Sequence, residues 1–142
     1  METDKPKLKE YAGGWITERE GTQIPGFLKW AYIVIAGGAT PLEEMIASTA
    51  RGILVTRLWY IREVDPYEKI MTGMTRDGTF LIEDGHIARG VRNFRFNQAL
   101  PELLSNVEAL SPAVRASGEE AFDMVVPAMK VRDFHFTEVT RF

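Results

Sequence analysis

Cysteine is absent from this chain of 142 residues, and histidine occurs only twice. The first absence rules out disulfides, thiolate catalysis and cysteine-based zinc or iron–sulfur sites. The two histidines, His86 and His135, lie far apart and belong to no HExxH or HxH spacing, so they read as a hairpin-surface histidine and a strand histidine rather than as metal ligands. No glycine-rich phosphate loop is present: Gly37-Gly38 lacks both the Lys-Ser/Thr of a P-loop and the spacing of a dinucleotide site. No GxSxG occurs, and Ser117-Gly118 reads as a loop position rather than a nucleophile. The acidic pairs Glu43-Glu44 and Glu119-Glu120 read as helix-start and loop charges in water, not as acid/base couples.

Long hydrophobic runs are missing too. The longest mainly apolar stretch, FLKWAYIVIAGGA at residues 27–39, contains Lys29 and falls short of the ~20 residues needed to cross a bilayer. It reads as a buried strand, the alternative being an interfacial or anchor segment. The N-terminal METDKPKLKEY has mixed charge and no apolar core, so no secretory signal is visible. No membrane association is expected, and cytoplasmic residence is the default. A net charge of −3 argues against a dedicated nucleic-acid binder, whose affinity comes largely from neutralising phosphates.

What is present is the composition of a folded domain: 45% hydrophobic and 26% charged residues. Residues 1–25 are polar and without sustained periodicity, which predicts a tail or docking arm, and residues 26–142 form the expected domain. TPLEEMIASTARG carries the clearest local signal. Thr40 is placed as an N-cap, Pro41 at the first helical position and Glu43 to close a capping box. Leu42, Met45, Ile46 and Thr49 follow helical spacing before Gly52, predicting a helix over about 41–51. A second amphipathic helix is predicted over about 100–110, with Leu100, Leu103, Leu104 and Val107 as its buried stripe. Between them the pattern is that of strands. ILVTRLWYIREV is apolar on both faces and so reads as central in its sheet. Asp65-Pro66, Asp77-Gly78 and Asp84-Gly85 punctuate the rest, the two Asp-Gly pairs favouring tight hairpin turns. The last strand, DMVVPAMKVRDFHF, contains Pro127 and so reads as an edge or a bulged strand. The fold class is α+β, mostly antiparallel sheet with two amphipathic helices.

Two clusters invite a functional reading. GHIARGVRNFRF, residues 85–96, sets Arg89, Arg92 and Arg95 among aromatics. Against the RNA-binding strand pattern K/R-G-F/Y-G/A-F-V-x-F/Y, Arg89, Gly90 and Phe96 fit, while Val91, Arg92, Asn93 and Phe94 do not. The missing stacking positions are those that carry base recognition. No nucleic-acid partner is expected, and the aromatics read as core anchors. The second cluster is Arg57, Tyr60, Arg62, Arg76 and Asp77. Arginine suits a bidentate grip on carboxylate, so these residues could line a groove for a peptide backbone or chain end. Cross-strand ion pairing with Glu63, Asp65 and Glu68 is the other reading of the same residues.

Taken in order, the TPLEEMI helix, the GILVTR strand, TGMTRDGTFLIEDG with the strand after it, and the closing PAMKVRDFHF resemble the C-terminal domain of the TldD/PmbA family, also called modulators of DNA gyrase, over residues 39–136. The resemblance implies a cytoplasmic family of metallopeptidases acting on small proteins or unfolded peptides, often as a dimer of two related subunits. It also implies that a zinc site would be built from an HExxxH helix in an upstream domain and a cysteine near the C-terminus. This chain contains neither, and SPAVRASGEE at residues 111–120 supplies no soft ligand where the cysteine would fall. No metal or catalytic residue therefore carries over. The expected role is scaffold, homodimer or related-subunit surface, and substrate groove for a peptide or small protein. The alternative is a non-enzymatic module that binds peptide along a sheet edge.

Overall fold

The structure, a computed structural model, describes the backbone of residues 7–11, 14–18, 31–116 and 124–140, and side chains from residue 34 onward within them. These residues form two compact units, Met1–Thr40 with Leu110–Ala128 and Pro41–Ala109 with Met129–Phe142.

The first unit holds strands β1 (Lys7–Tyr11), β2 (Gly14–Glu18) and β3 (Ala31–Ile35). Two segments of the stretch read as a tail are thus strands, and β2 pairs antiparallel with both β1 and β3. Residues 27–30 of the predicted apolar strand lie outside the described residues. Gly37 and Gly38 follow β3 because two backbones meet there. The Gly38 amide donates to Ser111 O at 2.9 Å, and a Cβ on Gly37 would lie 2.4 Å from Ala113 N. Ser111 is buried, and its hydroxyl accepts the Ala128 amide at 2.8 Å.

The second unit carries the main sheet. Helix α1 (Leu42–Ala47) is shorter than predicted, and its N-cap is Pro41, with no side-chain cap; the Thr40–Glu43 capping box does not form. Ser48 and Thr49 end it early by donating their hydroxyls to Met45 O, at 3.1 and 2.7 Å, and so cap a last-turn carbonyl. Met45 is the buried anchor of the helix. Gly52, the expected stop, already belongs to β4 (Arg51–Asp65). β4 turns at residues 65–69, where Asp65 Oδ1 accepts the Tyr67 and Glu68 amides at 2.9 and 3.0 Å, into β5 (Ile70–Glu83).

β5 is the centre of the sheet and β4 its edge, the reverse of the reading from apolar content. β5 also continues straight through Asp77-Gly78. The predicted hairpin turn is a β-bulge: Val55 faces Thr79 and Arg57 faces Arg76, so Asp77 and Gly78 together oppose Thr56. Asp77 has φ 61° and Gly78 φ 148°, and Thr56 Oγ1 donates to Gly78 O at 3.0 Å. Asp84-Gly85 is the turn expected. It leads to β6 (His86–Gly90) and is fastened to the end of α1, with the Asp84 amide donating to Ala50 O at 2.8 Å and the Gly85 amide to Thr49 O at 2.9 Å.

The returning segment is broken at residues 91–93 before β7 (Phe94–Ala99), which pairs with the first half of β5. Helix α2 (Leu100–Ser105) stops five residues short of its predicted end, and Val107–Leu110 is strand β8. The predicted buried stripe fails with it: Leu100 and Leu104 are 41% and 62% exposed. A β-branched start and a partner strand, β11 (Met129–Val131), override helical spacing here. The segment after Pro112 contains β9 (Val114–Ala116), which pairs with β10 (Met124–Val126); β10 also runs parallel to β3. The last predicted strand is therefore two, β10 and, after Pro127, β11; its final residue, Phe136, opens β12 (Phe136–Val139), which closes the main sheet against β7.

The core of this unit is Phe96, 3% exposed, with Met74, Leu81 and Ile82. Its ring lies across the facing Gly73, where a Cβ would come within 2.7 Å of the ring. Phe94, Phe134 and Phe136 extend the cluster at centroid separations of 4.9–5.3 Å. The predicted role of the 85–96 aromatics as core anchors holds for Phe96 most strongly. Arg95 faces Glu138 across the β7–β12 pair at 3.5 Å, and Arg89 and Arg92 are exposed.

Candidate functional site

The β4–β5 ribbon brings the five sequence-selected residues into one row of contacts, through a sixth residue that the reading missed. Arg57 and Arg76 are directly opposite each other, an arrangement that sets like charges together. Asp77, turned out by the bulge, lies between them: its Oδ2 is 2.7 Å from Arg57 Nη1 and its Oδ1 is 3.5 Å from Arg76 Nε. The Arg76 guanidinium also lies 4.0 Å from the centroid of Trp59, which is diagonal to it across the strand pair. In regular β geometry Tyr60 would point to the opposite face from Trp59. A second bulge, Tyr60-Ile61 opposite Gly73, interrupts the alternation, with Tyr60 at φ 57°. The Tyr60 ring lies 5.5 Å from that of Trp59, and Arg62 sits 4.5 Å over it. The row therefore runs Arg62, Tyr60, Trp59, Arg76, Asp77, Arg57, with three positive charges against one negative.

Two of the three acids offered as alternative partners make other contacts. Glu63 is 3.5 Å from Lys69, and Asp65 caps its own turn.

Beside this row opens a cleft of about 300 Å³ lined by Trp59, Met74, Thr75, Arg76, Asp77, Asn93 and Thr140. Its floor is a polar knot. Thr75 is fully buried and Thr79 nearly so, yet both hydroxyls are satisfied. Thr79 Oγ1 lies 2.8 Å from Thr75 Oγ1 and 3.0 Å from Asn93 Oδ1, while Thr75 Oγ1 accepts the Phe94 amide at 3.0 Å. Asn93 O accepts both the amide and the hydroxyl of Thr140, at 2.8 and 3.0 Å. This knot fixes the break between β6 and β7 and so holds the cleft wall in place. Its threonines gave no signal in the sequence, because a buried threonine and an exposed one look alike until their partners are known. Trp59 could have been found: it shares the Arg57 face of an alternating strand.

Among the described residues no group of three or more His, Cys, Asp or Glu side chains could hold a metal ion. The chain also contains no cysteine and no HExxxH. The zinc site implied by the family resemblance does not fit the donors of this chain; the groups presented at the row and cleft are guanidinium, aromatic faces, hydroxyls and an amide. No helix among the described residues is long and apolar enough to cross a membrane.

Comparison with known proteins agrees with the ordered resemblance of the strands. The profile of the PmbA/TldA metallopeptidase C-terminal domain matches residues 17–138. No curated protein matches the chain. Among solved structures, TldE from Thermococcus kodakarensis superposes with a TM-score of 0.67 at 22% identity, over 85% of this chain, and so shares its fold. This chain spans 27% of the length of that protein. The chain belongs to the PmbA/TldA metallopeptidase C-terminal domain family.

Proposed function

We propose that this chain is the scaffold and substrate-groove domain of a metallopeptidase-like protein, with the arginine–aromatic row of the β4–β5 ribbon as the surface on which an unfolded peptide or small protein lies. The supporting observation is the continuity of that row, from Arg62 through Trp59 to Arg57, with its members Trp59, Arg76 and Asp77 also lining the adjoining cleft. Arginines stacked on aromatic faces keep their donor edges available for backbone carbonyls and carboxylates, and the aromatic faces accept apolar side chains. The water-activating metal of the family would be supplied from outside this chain, by a longer protein or a related subunit in the same cytoplasmic assembly. The chain alone is then a binder without peptidase activity. Purified chain with added zinc should leave an unfolded peptide intact while binding it saturably, and binding should be lost in Arg57→Ala and Arg62→Ala. Chelator-sensitive cleavage by the chain would overturn the reading.

A second reading is favoured by one observation: β4, fifteen residues long, is an edge strand that exposes Leu58, Tyr60, Ile61 and Val64. A peptide could add to it as a further strand, making the chain a non-enzymatic binding module. Methylation of alternate peptide nitrogens separates the two. It abolishes strand addition and leaves side-chain recognition by the row largely intact.

A further inference from the structure

We infer that Asp77 occupies the place of a ligand carboxylate: Arg57 and Arg76 form a carboxylate clamp that the chain holds closed with its own aspartate, and a peptide carboxylate entering the adjoining cleft takes over contacts that Asp77 makes. The inference rests on the groove reading above and names the chemical group that the groove selects.

Three features support it. First, the clamp is built by register. Arg57 and Arg76 are a directly opposed pair, and such a like-charged pair is destabilising unless an anion bridges it. Second, the bridging group is held by a special backbone rather than by strand geometry. Asp77 is a non-glycine residue at φ 61° in a two-residue bulge, and it contacts one arginine at 2.7 Å and the other at 3.5 Å. The unequal distances describe one full charge-assisted bond and one loose contact, so the Arg76 side of the clamp is only partly used. Arg76 is further fixed by Trp59, at 4.0 Å, which leaves its planar edge rather than its face to a ligand. Third, Arg76 and Asp77 both line the 300 Å³ cleft, whose volume is at the small end for a ligand site and suits a chain end or one acidic side chain. The Arg57–Asp77 pair is 39% and 50% exposed at its side chains, so exchange of one carboxylate for another needs no buried charge to be stranded.

The experiment compares the whole chain with Asp77→Asn, which removes the competing charge while keeping a residue that tolerates positive φ. Asp77→Gly serves as a second variant, and urea midpoints establish that each is folded. Binding is measured by anisotropy with labelled pentapeptides in four forms: free or amidated C-terminus, each with an internal Glu or Gln. Acetate is titrated in parallel, followed at the Arg76 Nε–H resonance. Both variants should bind carboxylate-bearing peptides about two- to fivefold more tightly than wild type, the scale of an exposed ion pair, and the form lacking both carboxylates equally well. Arg76→Gln should cancel the gain. The amidated and Gln forms report whether the chain end or the side chain is the group taken up.

Unchanged or weaker binding of carboxylate peptides in Asp77→Asn, with peptide still bound by wild type through Arg57 and Arg62, overturns the inference and leaves the groove standing. Enhanced acetate binding in the variants with no peptide bound by any form keeps the clamp and removes the groove. No response to either probe removes both.

Discussion

β4 and β5 are paired over almost their whole lengths, are nearly equally long, and are both rich in apolar residues, yet they have opposite fates. β5 lies inside the sheet and buries Met74, Thr75, Thr79, Leu81 and Ile82. β4 lies at the edge and exposes Leu58, Tyr60, Ile61 and Val64. Apolar content on both faces did not make β4 central. Two threonines are buried deeper than most of the leucines and isoleucines around them, because Asn93 and the Phe94 amide satisfy their hydroxyls. The strand that builds the unit also contributes Arg76 and Asp77 to the candidate site, while Arg57, Trp59, Tyr60 and Arg62 stand on the edge strand of the same hairpin.

This contrast predicts a graded series of stability effects, each measurable by urea unfolding. The largest belongs to the core beneath β5: Phe96→Ala should cost roughly 3–5 kcal/mol, since it empties the space over Gly73 that the ring fills. Next comes the polar knot. Thr75→Val preserves shape but leaves the Phe94 amide and its neighbours without their buried partner, so a loss of about 1–3 kcal/mol is expected, against less for Thr75→Ser. A comparison of the two Asp-Gly pairs follows. Gly85→Ala should destabilise by about 1 kcal/mol or more, because φ is 77° and its Cβ would lie 2.6 Å from Ala47 O. Asp77→Gly, in the bulge, should leave stability within about 1 kcal/mol of wild type, since it gives up an exposed ion pair but relieves a left-handed residue. The smallest effects belong to the β4 edge, where Ile61→Thr or Val64→Thr should shift stability by no more than about 0.5 kcal/mol. A β4 substitution as damaging as Phe96→Ala would mean that the edge carries core packing.

The α+β class and the strands from β3 to β7 were legible because local patterning carries them, whereas β1 and β2 lie in a stretch that reads as a tail and β8 in one that reads as the end of a helix. Turn chemistry was legible only in part. Asp84-Gly85 and Asp77-Gly78 are the same dipeptide, and what separates them is whether a neighbouring strand continues to pair on either side. β4 continues past Asp77-Gly78, with Val55 and Arg57 still in register, and so converts the second pair into a bulge. Helix ends were misread for a similar reason. Ser48 and Thr49 side chains close α1 early, and residues 107–110 find a strand partner in β11, a contact distant in sequence. At the candidate site the charged residues could be picked out, since arginines among aromatics are conspicuous. The way Tyr60 and Asp77 join them could not, because it depends on two bulges that interrupt the alternation of side chains.

Receipt of peptide by the row on β4 and β5 is the proposal on which the functional reading rests. It is tested most directly by anisotropy titration of a labelled unfolded peptide with wild-type chain, Arg57→Ala and Arg62→Ala, the variants first shown to unfold at the wild-type urea midpoint. Saturable binding by wild type is expected, with a loss of about tenfold or more in each variant, the scale of a charged hydrogen-bonding partner removed. Equal binding by all three proteins would contradict it.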